Sequence, residues 1–418
     1  MWRNRSLLGL IAAELVSLTG SSMTFVALPW FVLTTTGSTA RMGWVLGAEM
    51  LPVGLLGIPA GTLISRLGAK RTMLVSDAAR GPLMLVLPVL HWTGHLSFPA
   101  LLASAFAVGC FTAPYFASSR LVLPEVAGED ERAVAGANAV FAAVQQGTIV
   151  AGPVLAGVLI AATSPSAVLV VDAGTYVFSF LTISTVVRAG RRVAETAEAK
   201  GLLAGLRFLR RDPLLGPMML AACAVNLFAQ GIIVGVDALA YFTYGSARVA
   251  GLLFGAFGIG ALAGALCAQQ VTKKADLQKL AAVAIVALPL PIFLLGLSMP
   301  WGAALAVIAA FAFFSPLVNA PIFGIMTVRT PASLRPKVIT AVMTVASVAG
   351  PLGFFGAGEA LRWISVQTLF VVVAAALTAS GLAFAAVLLR PSDRAAGSVA
   401  VAGVADGEAD ALAQPLGT

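Results

Sequence analysis

Residues 188–213, RAGRRVAETAEAKGLLAGLRFLRRDP, divide the chain in two. They carry Arg188, Arg191, Arg192, Lys200, Arg207, Arg210 and Arg211, whereas the sequence on either side is a succession of apolar runs. Leu202, Leu203, Leu206 and Leu209 recur at helical spacing beside the arginines, which predicts an amphipathic helix lying on a membrane face. Outward from this linker the apolar runs fall six and six. They predict spans near 6–35, 42–65, 73–90, 98–122, 134–161, 166–187, 215–242, 249–271, 278–298, 301–327, 337–360 and 366–389.

The composition agrees. Apolar residues make up 59% of the 418 and charged residues 11%, and the mean hydropathy is +0.96, so the chain lacks the polar surface a water-soluble globule of this length needs. The net charge of +8 is not a nucleic-acid footprint, because the basic residues lie in short segments between apolar runs. With the N-terminus inside, 23 of the 26 Lys and Arg fall on the cytoplasmic side or adjoining helix ends, leaving Arg41, Arg248 and Arg362 outside. That asymmetry predicts cytoplasmic termini in an inner membrane. Met1 to Arg5 followed by an apolar stretch resembles a signal peptide, but the stretch is too long and lacks a small-residue cleavage site, so it reads as the first span.

The two sides of the linker also resemble each other. Phe111-Thr-Ala-Pro114, Arg132 and Ala151-Gly152-Pro153 have counterparts in Phe314-Ser-Pro316, Arg335 and Ala349-Gly350-Pro351. Gly37-Ser38 before the second span is matched by Gly245-Ser246 before the eighth. The expected architecture is an all-α membrane protein of twelve transmembrane helices in two six-helix pseudo-symmetric halves, with a cavity between them. The divisions expected are 1–187, the linker 188–213, 214–390, and a disordered cytoplasmic tail at 391–418.

The loop after the second span, Gly61-Thr-Leu-Ile-Ser65-Arg66-Leu-Gly68-Ala-Lys70-Arg71, resembles the signature loop of the major facilitator superfamily. More narrowly, the stretches Phe111–Asn138, Gly147–Gly157 and Gly205–Pro213 are similar to the branch of proton-driven exporters that includes macrolide efflux proteins and the enterobactin exporter. The resemblance implies the major facilitator fold, alternating access and gating by the signature loop. Ser65 stands where the family usually has Asp, the residue that caps a helix and latches the inward gate. Asp77, Arg80, Arg120 and Glu125 are the expected substitute network at the cytoplasmic end. Gly152-Pro153 resembles the superfamily's antiporter element, where Gly permits close helix approach and Pro a bend.

Several chemistries find no support. No Gly-x4-Gly-Lys-Ser/Thr loop is present, so the energy source expected is a gradient, and no cofactor is expected. His91 and His95, the only histidines, lie in a short loop with Gly94 between them and no third ligand, and no metal site is expected. Cys110, Cys223 and Cys267 fall inside apolar runs without paired spacing. The chain is not expected to be an enzyme.

Acidic residues inside spans are the informative ones, because a carboxylate at mid-bilayer costs about 2.5–3.5 kcal/mol even on a lenient insertion scale. Glu14 lies about 12 Å into the first span by the helical rise, and Ser17, Ser21 and Thr24 continue its face, a stripe expected to front the cavity. Glu14 and Glu49 are the leading proton or cation-substrate candidates, followed by Asp237 and Asp172. Asn138, Gln145, Gln146, Asn226, Gln230 and Asn319 are candidates to orient a substrate, and Trp30, Phe141 and Phe228 to stack on it. Gly43, Gly47, Gly54, Gly57 and Gly61 follow one face of the second span as a packing surface. The function expected is proton-coupled efflux of a drug-like small molecule by a monomer in the lipid bilayer. The alternative is uptake of a small organic solute or lysolipid.

Overall fold

The computed structural model describes residues 4–128, 130–188, 207–210, 212, 214–330 and 334–389. The side chains at 57–62, 65, 335–337, 339, 340, 343 and 346 are outside that description. The long helices are α1 (Arg5–Thr36), α2 (Thr39–Leu67), α3 (Ala69–Trp92), α4 (Phe98–Ala127), α5 (Glu131–Ala162), α6 (Pro165–Thr185), α7 (Leu215–Ala238), α8 (Ala247–Val271), α9 (Leu277–Ala287), α10 (Trp301–Arg329), α11 (Arg335–Ala360) and α12 (Val366–Leu388). Among the described residues ten spans are long and apolar enough to cross a membrane. The other two, α2 and α11, are 29 and 26 residues long and pack on each other. Of the linker only residues 188, 207–210 and 212 are described, with 207–210 helical and Leu209 buried; the rest of the expected amphipathic helix, and the tail at 391–418, lie outside the described residues.

The helix ends are set by local chemistry. Asn4 caps α1 through Oδ1, which accepts from the Ser6 and Leu7 amides, while its Nδ2 donates to Val126 O at 2.7 Å and ties the start of α1 to the end of α4. Ser38, Ser97, Asp130, Ser164, Asp276 and Ser365 cap α2, α4, α5, α6, α9 and α12 in the same way. Asp212 Oδ1 accepts from the Leu214 and Leu215 amides, both at 2.8 Å, ahead of α7. Gly37 and Gly245, the repeated glycines, turn in the left-handed region with φ of 63° and 60°, where a Cβ would strain the backbone.

Two segments depart from the plain helices expected. α9 ends at Ala287 and continues as a 3₁₀ turn, Leu290–Gly296, because Pro289 and Pro291 supply no backbone N–H to carry the α ladder through. α7 passes into a π turn, Leu239–Thr243.

The packing repeats with an offset of six helices. α1 lies against α5 and α6, α2 against α4, and α3 against α4 and α6; α7 lies against α11 and α12, α8 against α10, and α9 against α10 and α12. Two pairs join the halves, α2 with α11 and α5 with α8, and the same two-fold relation exchanges them. In lipid the drive for such contacts comes from close van der Waals fit of small residues, not from hiding apolar surface.

Both cross-half seams are glycine-lined. On α2, Gly43 meets the Phe354 carbonyl and Gly358 Cα, Gly47 the Phe355 ring, and Gly54 the backbone of Ser347. Trp44 stacks on Phe355 with centroids 4.5 Å apart. On α5, Gly157 meets Ala247 O and Gly251 Cα, and Val154 and Val150 fill the space above Gly255 and Gly258. Trp30 and Tyr241 meet edge to face at 5.3 Å across the same end. The halves are therefore closed toward the α1–α2 and α7–α8 loops. A side chain at Gly157 would overpack this seam at a cost of about 1–3 kcal/mol, a roughly five- to hundredfold shift in a two-state equilibrium. In a background with the three cysteines replaced by Ser, the pair Val154→Cys/Gly255→Cys is expected to cross-link readily, and Gly157→Val to reduce the yield sharply, as read by gel mobility after mild oxidation.

Candidate functional site

Two cavities lie on the α2–α3 loop side of the seams, one between the halves and one walled by the C-terminal half alone, and because Phe254 and Phe257 line both they are described as two lobes. One, of about 440 Å³, is bounded by Leu18, Ser21, Ser22 and Phe25 of α1, Phe116 of α4, Gln145, Thr148, Ile149 and Pro153 of α5, and Phe254 and Phe257 of α8. The other, of about 550 Å³, shares Phe254 and Phe257 and extends along α7 and α10, past Asn226, Gln230, Ser315 and Asn319. Volumes of this order suit a drug-sized molecule. Gln230 Nε2 donates to Asn226 Oδ1 at 3.1 Å, and Asn319 Nδ2 donates to Ser315 Oγ at 3.3 Å.

Behind the α1 wall, inside the N-terminal half, is a buried polar cluster. Arg80 sits near the middle of the 24-residue α3 with 2% of its surface exposed. Its Nη2 donates to Asp77 Oδ1 at 2.5 Å, and its guanidinium carbon lies 4.0 and 4.4 Å from the ring centroids of Tyr115 and Tyr176. The planar cation is held between two aromatic faces with a carboxylate at its edge, a geometry that an ammonium group does not reproduce. Tyr115 OH is 3.4 Å from Ser179 Oγ. On α6, Asp172 accepts from Thr24 Oγ1 at 2.6 Å and Thr175 Oγ1 at 3.1 Å.

Glu14 is fully buried in this cluster. It lies against Tyr115 and Ser119 of α4 and within electrostatic reach of Asp77 and Arg80, yet neither carboxyl oxygen has a hydrogen-bond partner among the described residues. Asp77 Oδ2, Arg80 Nε, Ser76 Oγ and Ser118 Oγ are likewise unpartnered there. Buried polar atoms without partners are rare. Glu14, Asp77 and Arg80 bring such atoms together within electrostatic reach of one another. Ser21 Oγ connects this cluster to the cavity, lying 3.1 Å from Tyr176 OH while lining the first lobe.

Gln145, Asn226, Gln230, Asn319 and Ser21 line the cavity. The rest of the α1 stripe does not: Glu14, Ser17 and Thr24 are buried inside the N-terminal half, and the face of α1 that fronts the cavity is Leu18, Ser21, Ser22 and Phe25. The stripe is polar because it meets the Arg80 cluster. Asn138 is exposed and donates to Val134 O on its own helix. Glu49 is half-buried on α2, within electrostatic reach of Asp172 and Tyr176. Asp237, at the end of α7 before the π turn, is fully buried with both oxygens unpartnered among the described residues. Trp30 belongs to the closed seam, Phe141 to the interior of the N-terminal half, and Phe228 packs against the core.

The signature-loop residues are placed as follows. Gly61 and Ser65 lie near the end of α2 with side chains outside the described set, Arg66 and Arg71 are exposed, and Gly68 turns the chain with φ of 83°. Lys70 Nζ donates to the carbonyls of Ser184 and Val187 at the end of α6, a cation on a helix C-terminus. The expected four-residue network is not assembled: Asp77 and Arg80 pair deep in the bundle, while Arg120 is exposed and Glu125 sits near the end of α4. Gly152 packs on Ser22 and Met23 of α1, and Pro153 faces the cavity. The cavity phenylalanines, Phe25, Phe116, Phe254 and Phe257 with Phe311, Phe323 and Phe384 in the second lobe, have no signal in the sequence that singles them out as a set. Phe25 had a usable signal, following Leu18, Ser21 and Ser22 at helical spacing.

Comparison with known proteins agrees with this architecture. The chain is 29% identical over 366 residues to the multidrug efflux pump Tap of Mycolicibacterium fortuitum, covering 84% of this chain and 88% of that one. It is 27% identical over 346 residues to the enterobactin exporter EntS of Citrobacter koseri, covering 81% and 80%. Among solved structures, the nucleoside transporter NupG superposes with a TM-score of 0.78 at 12% identity, covering 92% of this chain and 99% of that one. Residues 10–354 match the model of the Major Facilitator Superfamily, and the chain belongs to that family of membrane transporters.

Proposed function

We propose that this chain is a proton-coupled exporter of a drug-like or secondary-metabolite molecule, working as a single-chain unit by alternating access. The observation that carries the reading is Ser21, which lines the cavity and touches Tyr176, one of the two rings around Arg80. Cargo in the first lobe thereby bears on the buried carboxyl cluster. Glu14 is the proton carrier in this scheme, and the Arg80–Asp77 pair is the fixed charge against which it exchanges. Asp172, hydrogen-bonded by Thr24 and Thr175, positions α6 against α1, and Glu49 lies within its field. The Tap and EntS relatives support the export direction.

The placement of charge supports an orientation. Arg41 and Arg362 stand at the closed end and Arg248 opens α8 there, whereas Lys70, Arg71, Lys273, Lys274 and Arg329 stand at the other. By the positive-inside rule the open end is cytoplasmic, so the termini are cytoplasmic and the state described faces inward. The halves in this reading are 1–187 and 214–390, joined by the 188–213 linker. One proton moved through about 100 mV supplies roughly 2.3 kcal/mol, enough for a roughly fiftyfold cargo gradient.

Two outcomes are expected. Cells expressing Glu14→Gln are to lose protonophore-sensitive dye efflux while keeping the protein in the membrane, with Glu49→Gln impaired to a smaller degree; efflux unaltered in both removes the proton-site assignment. Asp77→Ala leaves the Arg80 cation buried without its carboxylate, which costs about 3–5 kcal/mol. Thermal unfolding of the purified variant is expected at a lower temperature than that of Arg120→Ala, whose side chain is exposed.

A further inference from the structure

We propose that the cavity selects uncharged aromatic molecules bearing hydrogen-bonding groups, and that charge is handled only behind its wall. This rests on the exporter reading above and names its cargo class. Phe254 and Phe257 belong to both lobes, and Phe25, edge to face on Phe254 at 5.3 Å, and Phe116 add aromatic surface to the first, so a planar ring system meets aromatic side chains in the wall. The polar groups interleaved with them are neutral. Gln145 and Thr148 serve the first lobe, and the Asn226–Gln230 and Ser315–Asn319 pairs serve the second. Each amide spends one donor or acceptor on its neighbour or none, and keeps the rest for cargo.

Among the described residues lining either lobe, none is ionisable. The acidic groups of the spans lie elsewhere: Glu14 and Asp172 are sealed inside the N-terminal half, Asp237 is fully buried in α7, and Glu49 lies on α2. An ion entering this space would leave water without meeting a counter-charge from these walls. Phenylalanine faces attract a cation, but that attraction offsets only part of the cost of removing an ion from water. A neutral molecule carrying amide, hydroxyl or carbonyl groups meets both needs of the wall. Exchange of such a cargo for a proton moves net charge in each cycle, so the membrane potential drives it as well as the pH gradient.

The test is equilibrium binding to the full chain in lipid nanodiscs, with empty nanodiscs subtracted. The probes are neutral N-phenyl-1-naphthylamine, its anionic relative 8-anilinonaphthalene-1-sulfonate, and cationic ethidium. The expected order has the neutral probe bound roughly tenfold or more above either ion, and lowered severalfold by Phe257→Ala. Gln145→Glu in the first lobe, or Asn319→Asp in the second, is expected to raise ethidium affinity roughly tenfold with the neutral probe less affected. Ethidium bound as tightly as the neutral probe by the parent chain, or no protein-dependent binding of the neutral probe, overturns the proposal. Neutral-selective binding together with transport that ignores a proton gradient would count against the exporter reading and leave the cargo class standing.

Discussion

A guanidinium group half-way along a membrane helix has to be compensated from within the protein, and the N-terminal half is organised around that requirement. Arg80 obtains a carboxylate from its own helix and a ring from each of α4 and α6. The three helices cannot move far apart without stripping the rings from Arg80 and exposing its ion pair with Asp77 to hydrocarbon. That fixes α3, α4 and α6 as one body, and α1 joins them by presenting Glu14, Ser17 and Thr24 to the same interior. The C-terminal half repeats the helix packing with a single fully buried acid, Asp237, among its described residues. The two halves are alike in shape and unlike in chemistry, which suits one as the seat of coupling and the other as a counterpart surface for cargo.

The seams between the halves obey a different constraint. Where α2 meets α11 and α5 meets α8, backbone approaches backbone, because Gly43 faces Gly358 and Gly157 faces Gly251. Around these backbone contacts single side chains seat against glycines, Phe355 on Gly47, Val154 on Gly255 and Val150 on Gly258, and in the proposed mechanism they part and re-form as rigid bodies rock. The same α1 helix borders both regions, with one face on the polar cluster and another on the cavity. A change in the protonation of Glu14 and a change in cavity occupancy therefore act on one element.

Much of this was legible in the sequence, for physical reasons. Span positions followed from apolar run length, and the repeated Gly-Ser pairs announced the two-fold relation because both glycines take the left-handed turn. The break of α9 was missed, since apolar run length alone gave one span over 278–298, although Leu288-Pro289-Leu290-Pro291 cannot carry a continuous α ladder. What was not legible is rotation and depth. Arg80 is expected from the sequence in a cytoplasmic network with Asp77, Arg120 and Glu125, and only the three-dimensional packing shows it buried among tyrosines. The α1 stripe was correctly polar but assigned to the cavity, as periodicity identifies a face without saying what that face meets. The cavity phenylalanines escaped notice because their pairing across the halves, such as Phe25 with Phe254 at 5.3 Å, has no signature along the chain.

We propose that cargo in the first lobe and a proton on Glu14 exclude one another, Ser21 touching Tyr176 and Tyr176 packing on the Arg80 that lies within reach of Glu14. The most direct measurement is proton release into weakly buffered solution, read with a pH indicator, when purified protein binds a saturating neutral cargo such as N-phenyl-1-naphthylamine. The account predicts about one proton released per molecule bound by the parent chain, and none by Glu14→Gln at preserved binding. Release that is undiminished in Glu14→Gln, or absent from the parent chain while cargo binds, would contradict it.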